Sequence, residues 1–167
     1  MPATVRLEPI LLKKPLVDTK KLLRGLERAI DDTTTIVDAN FQATVGSWKR
    51  KPKFTRRRAM RKGRTIEGDV TTRNEIYGYV TGGTRRHRIP KHPMPRGKKL
   101  RFRTGYRSKT RRRVLGSHKG GAFGGVAFAR QVMHPGTEAR EFQQEIAKRR
   151  QRNLYNFAIR AWAEARR

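Results

Sequence analysis

An α+β fold is predicted by three features of this chain. Apolar residues recur at helical spacing near both ends, short stretches in the middle alternate with the period of strands, and a glycine-rich stretch late in the middle shows no period. The expected architecture is a long N-terminal helix and a C-terminal helix packed on a small antiparallel sheet of four to five strands. A long Arg/Gly-rich loop is expected to project from it.

Residues 1–17 read as an extended arm marked by Pro2, Pro9 and Pro15, and residues 18–167 as a single domain. Asp18 or Thr19 can cap a helix whose stripe is Leu22, Leu26, Ala29, Ile30, Val37, Phe41, Val45 and Trp48. Thr33, Thr34 and Thr35 weaken its propensity without breaking the stripe. The helix is therefore expected to reach about Trp48 and to end before Pro52.

From Thr65 to Thr72, Ile66, Gly68 and Val70 alternate with Glu67, Asp69 and Thr71, which predicts a half-buried strand. Arg73-Asn74-Glu75 can turn the chain into a second strand, Ile76 to Val80, completing a hairpin. Leu100 and Phe102 against Arg101 and Arg103 predict another strand, and so do Val126, Phe128 and Val132 against Ala127 and Ala129. A fifth, fainter strand falls around Phe54. Thr104 to Gly125 lacks an apolar period and holds six glycines and Arg111-Arg112-Arg113, so a long mobile basic loop is expected there.

His134-Pro135-Gly136-Thr137 stops the last strand and offers Thr137 as the cap of the closing helix. Phe142, Ile146, Leu154, Phe157, Ala158, Ala161 and Trp162 give that helix a broad apolar side. Arg150 falls on this side and Ile159 off it, two breaks in the pattern.

Charge is the strongest functional signal. The 167 residues carry a formal charge of +29 with only 35% hydrophobic residues, so burial is limited and self-repulsion opposes compaction of an isolated copy. An oligomer or a complex is expected. Between Glu75 and Glu138 there is no acidic residue, yet sixteen lysines and arginines lie there. So one-signed a stretch implies a polyanionic partner, with DNA or RNA first. Lys49 to Arg64 is a second acid-free cluster, with ten cations. A solvated positive face, or contact with acidic subunits, is the plainer alternative.

Other classes find little support. The chain has no cysteine, so disulfides and thiolate metal sites are excluded. No apolar run is long enough to span a bilayer, and no continuous apolar run with a cleavage site suggests a secretory leader. No membrane partner is expected. His87, His92, His118 and His134 match no zinc spacing, so neither a metal nor a cofactor is expected. Gly82-Gly83-Thr84 lacks the Gly-Lys-Ser/Thr ending of a phosphate loop and reads as a tight turn. An enzyme needs a nucleophile with its base, paired carboxylates or a metal cluster, and the acid-free middle removes most of those options, so catalysis is not expected. Phosphate-backbone contact therefore leads, with Arg85, Arg86, Arg88, Lys98, Lys99, Arg107, Arg111, Arg112 and Arg113 as candidates. Phe54, Phe102 and Tyr106 lie among cations, where base stacking competes with packing in the sheet.

Two motifs carry a family resemblance. Ile76-Tyr77-Gly78-Tyr79-Val80-Thr81-Gly82-Gly83-Thr84-Arg85-Arg86-His87-Arg88-Ile89-Pro90, followed by Leu100-Arg101-Phe102, is one. Val132-Met133-His134-Pro135-Gly136-Thr137-Glu138-Ala139-Arg140 before a last helix is the other. Together they resemble the neck or tail-completion proteins of tailed bacteriophages, a family that includes the Z-type minor tail proteins of lambdoid phages. The resemblance spans roughly residues 18 to 160 and lies in the pairing of the two motifs.

It implies a virion structural protein of the head–tail junction, assembled in the bacterial cytoplasm as a ring homo-oligomer, expected as a hexamer. Its partners would be connector or stopper proteins, tail-terminator or tail-tube proteins, and packaged double-stranded DNA. Gly83, Thr84, His87, His134, Pro135, Gly136 and Thr137 would then fix turns or subunit contacts, Gly83 and Gly136 taking backbone angles that other residues resist. The basic loop, Arg107 to Arg113, maps onto no family motif, so its DNA role rests on charge alone. Two other classes compete: a small cellular nucleic-acid-binding structural protein of ribosomal or nucleoid type, and a toxin-like or nuclease enzyme.

Overall fold

In the computed structural model, which describes Val5–Arg6 and residues 17–166, the chain is α+β, with three helices and nine short strands among the described residues. Most of the expected N-terminal arm lies outside them. The elements run β1 (Val5–Arg6), α1 (Thr19–Thr44), β2 (Thr55–Lys62), β3 (Thr65–Thr71), α2 (Glu75–Gly82) and β4 (His87–Ile89). After these come β5 (Leu100–Arg103), β6 (Tyr106–Arg107), β7 (Gly121–Ala122), β8 (Val126–Ala129), β9 (Val132–His134) and α3 (Phe142–Ala165). Among the described residues the strands form no sheet of four or five. They divide into a three-stranded sheet, β1-β3-β2, and three two-stranded pairs, β4-β9, β5-β8 and β6-β7, all antiparallel.

Two compact units emerge. The first takes the described residues up to Gln42, Lys53–Arg73 and the chain from Gln143 onward; the second takes Ala43–Pro52 and Asn74–Phe142.

In the first unit the sheet packs on both long helices, as expected. Asp18 is the cap of α1: its Oδ1 accepts a hydrogen bond from the Lys21 N–H at 3.0 Å. Leu26 on α1, Ile66 on β3 and Ala161 on α3 are buried together, with Leu22, Leu23, Ile30, Ala59 and Ala158 around them. Phe41 and Phe54 stack with centroids 5.3 Å apart, so Phe54 is a core residue and offers no stacking platform. The faint strand at Phe54 proves to be β2, which forms the hairpin with β3 through a two-residue turn at Gly63-Arg64. On α3, Arg150 on the apolar side donates to Asn40 Oδ1 at 3.0 Å, and Ile159 is exposed.

The second unit departs further from expectation. Ile76 to Val80 is helical: the Asn74 side chain accepts from the Tyr77 N–H at 2.9 Å and starts α2, and Gly83 ends it. An N-cap and a glycine stop outweigh a five-residue alternation, because they satisfy backbone groups that a strand would need a neighbour to satisfy. Tyr77 and Thr81, four apart, are buried, and Ile76 and Tyr79 face out. Tyr77 packs on Phe142 at 6.1 Å and Trp48 at 6.2 Å, beside the buried Thr44 and Val45.

Helix α1 ends at Thr44, short of Trp48, because Gly46 is a poor helix former and Ser47 is drawn away by Ser117, whose Oγ accepts its N–H at 2.8 Å. Thr137 does not cap the closing helix, which begins only at Phe142. The expected strand from Val126 to Val132 is split in two, and its halves pair with different partners.

Candidate nucleic-acid interface

The Gly-Gly-Thr and His-Pro-Gly-Thr motifs meet in the second unit. Thr84 N donates to the Thr137 carbonyl at 2.9 Å, and Thr137 N donates to the Thr84 carbonyl at 3.0 Å and to Thr84 Oγ1 at 3.0 Å. Gly83 (φ 75°) and Gly136 (φ 97°) sit at this junction in the left-handed region. A Cβ on Gly83 would meet the Thr137 carbonyl oxygen at 2.7 Å, and one on Gly136 would run into the Thr84 carbonyl oxygen.

Arg140 N and Glu141 N then donate at 3.1 Å to the carbonyls of Val80 and Thr81, satisfying the C-terminal end of α2. His87 pairs with His134 across β4-β9, their rings 5.0 Å apart. His87 Nδ1 lies 2.8 Å from the Arg85 carbonyl, and His134 Nδ1 accepts from Gly136 N at 3.0 Å. Of Gly83, Thr84, His87, His134, Pro135, Gly136 and Thr137, all but the exposed Pro135 thus take part in one clasp.

Beyond the clasp, the stretch expected as a projecting mobile loop is a long bent hairpin. Pair β5-β8 holds the register Arg101↔Phe128 and Arg103↔Val126; β6-β7 holds Tyr106↔Ala122 and Arg107↔Gly121. The register slips by one residue between them, where Thr104 exchanges bonds with Gly124 and Gly125. Its tip is tied down. Lys109 Nζ donates to the Ser47 carbonyl at 3.1 Å, Arg113 N to the Arg140 carbonyl at 3.4 Å, and Thr110 is buried. Arg112 pairs with Glu141 at 2.8 Å and Arg113 with the same carboxylate at 3.6 Å. The Arg112 hydrogen bond and charge hold the Glu141 carboxyl below the usual carboxylate range.

The candidate cations therefore separate. Arg112 and Arg113 face a carboxylate of their own chain. Arg85, Arg86, Arg88, Lys98, Lys99, Arg107 and Arg111 are exposed and form no ion pair among the described residues. Two further cations belong with them. Cross-strand partners share a face, so Arg101, Arg103, Phe128 and Val126 lie together on the outer side of β5-β8, all exposed. The signal for Arg101 and Arg103 was their alternation with Leu100 and Phe102, which are half-buried. On β8 the small residues Ala127 and Ala129 face inward and the large ones outward.

The Lys49 to Arg64 cluster differs electrostatically. Arg57 makes a two-pronged bond to Asp69 at 2.7 and 2.6 Å, Lys62 meets Glu67 at 2.7 Å, and Arg56 lies 3.9 Å from Asp31. The Arg57 hydrogen bond holds Asp69 below its ordinary value. In the first unit β2 is partly neutralised from within, whereas the hairpin of the second unit carries cations alone.

Among the described residues no group of three or more His, Asp or Glu side chains could hold a metal ion, and no helix is long and apolar enough to cross a membrane. The fold and the interface define an α+β protein with a clasped basic hairpin. No protein-family model, curated protein or solved structure matches the chain.

Proposed function

We infer that the chain is a virion structural protein of the head–tail junction of a tailed bacteriophage. Copies assemble in the bacterial cytoplasm into a ring, expected as a hexamer, between connector or stopper proteins and tail-terminator or tail-tube proteins. The ring holds the packaged duplex by phosphate contacts, without reading sequence. The observation that carries this reading is the hairpin beside the clasp. It gathers Arg101, Arg103 and Arg107 in a stretch with no acid between Glu75 and Glu138, and a ring multiplies that charge around a lumen. The meeting of the two resembling motifs at Thr84 and Thr137 supports the family side of the reading.

Mass photometry tests the ring. Species at multiples of the 19.4 kDa chain, alone or with connector and tail partners, are expected. Monomers under every condition overturn the ring and leave the cellular nucleic-acid-binding protein, which the same basic face supports. A metal-dependent cleavage product would instead establish the nuclease.

A further inference from the structure

We propose that the outer face of the hairpin holds a single-stranded stretch of nucleic acid, its bases stacked on Phe128 and Phe123 and its phosphates on Arg101, Arg103 and Arg107. This rests on the nucleic-acid reading above and adds to its duplex phosphate contacts a place for the unpaired end of a strand.

Exposure is the starting point. Phe128 is 60% and Phe123 66% exposed, in a chain short of apolar residues for its core. Lone exposed aromatics are common, but these two share one hairpin with unpaired cations. Phe128 stands directly across from Arg101, and Val126 across from Arg103. Alternate residues on one face of a strand lie ~6.7 Å apart, so the two guanidiniums form a short row beside the ring. Arg107 Cζ sits 5.7 Å from the Phe123 centroid, within cation–π range, so a cation also accompanies the second ring. Rings interleaved with cations are the arrangement that accepts successive bases and their phosphates together.

The two open rings add to phosphate contact, which a duplex also makes, a contact that only unpaired bases can make. A base can lie on a side chain only when its face is open, and in a duplex that face is covered by neighbouring pairs. The strands read Leu-Arg-Phe-Arg, Tyr-Arg, Gly-Ala and Val-Ala-Phe-Ala, so their polar side chains are arginines for phosphate and the Tyr106 hydroxyl, with no Asn, Gln, Asp or Glu beside them. Charge complementarity sets the polymer, and the aromatic rings set its form.

Fluorescence anisotropy of the full chain with a labelled oligo-dT of about 12 nucleotides, and with a duplex of equal length, is the test. Phe128→Ala is expected to lower single-strand affinity by roughly 5- to 150-fold while leaving duplex affinity and the single-strand salt slope unchanged. Phe128→Leu is expected to lose as much, and Phe128→Trp to restore binding with its fluorescence quenched by the oligonucleotide. Equal losses on both ligands, no loss on either, or full binding by Phe128→Leu overturns stacking while leaving phosphate contact in place. If the wild-type chain binds neither ligand, the nucleic-acid reading itself falls. Melting curves that match the wild type establish that each variant is folded.

Discussion

Thr84 and Thr137, 53 residues apart, exchange both backbone hydrogen bonds, and the glycine before each of them holds a left-handed angle against the other's backbone. Here glycine is required on two grounds, angle and space. A side chain at Gly136 adds a left-handed penalty of about 1–2 kcal/mol and also displaces the Thr84 carbonyl. Gly136→Ala and Gly83→Ala are each expected to destabilise the chain by at least about 2 kcal/mol, read as a lowered denaturant midpoint. A midpoint equal to that of the wild type would show that the clasp relaxes freely.

Tyr77 is 1% exposed, its hydroxyl 3.2 Å from Thr44 Oγ1, and burial pushes its pKa up to about 12. An unfolded tyrosine titrates near 10, so between those values the folded chain keeps a proton that the unfolded chain has lost. Tyr77 thus contributes stability that is whole below about pH 10 and is lost as pH rises through about 12, an effect of roughly 2–3 kcal/mol. Tyr77→Phe should be less stable than wild type by about 1 kcal/mol at pH near 8, through the missing hydroxyl bond. Its deficit should shrink and then reverse at higher pH, measured by paired urea titrations. A constant deficit at all pH values would contradict the assignment.

Glu141 engages both Arg112 and Arg113. Removing its charge with Glu141→Gln should release these guanidiniums toward phosphate and tighten duplex binding. The log–log salt slope should steepen by about 0.9 for each new phosphate contact. Filter binding from low to physiological salt measures it. An unchanged slope would mean that the two arginines serve the fold alone.

Gly25 on α1 lies against Ala161 on α3, so close that an added Cβ would sit 2.7 Å from the alanine Cβ. Gly25→Leu should destabilise the chain by about 1–3 kcal/mol through overpacking, despite leucine's better helix propensity. Ala161→Gly in the same chain should recover part of the loss. Thermal melting of the single and double variants decides whether the contact sets the spacing of the two helices.

Legibility in the sequence followed how local the cause was. Helix α1 up to Thr44 and most of α3 could be read from periodicity because 26 and 24 residues repeat one pattern, whereas Asp18 and Thr19 were equal candidates for the cap until Asp18 Oδ1 was seen to accept from Lys21. Strand β3 was readable from its two-residue alternation, and the backbone angles of Gly83 and Gly136 from the turns they were expected to fix. The segment at Ile76 was misread because five alternating residues fit either period, and Asn74 with Gly83 decided the matter. Thr137 resembled a helix cap, yet its N–H and carbonyl are taken by Thr84, a partner no local pattern could name.

Composition alone carried the acid-free charge, because charge belongs to residues and not to their arrangement. Which cations stand unopposed was decided in three dimensions. Arg112 and Arg113 meet Glu141 only because the hairpin tip folds back to it, while Arg101 and Arg103 stand beside Phe128 only because of the register of β5 on β8. Ion pairs and cross-strand neighbours depend on distances between residues far apart in the chain, and those distances exist only once the chain has folded.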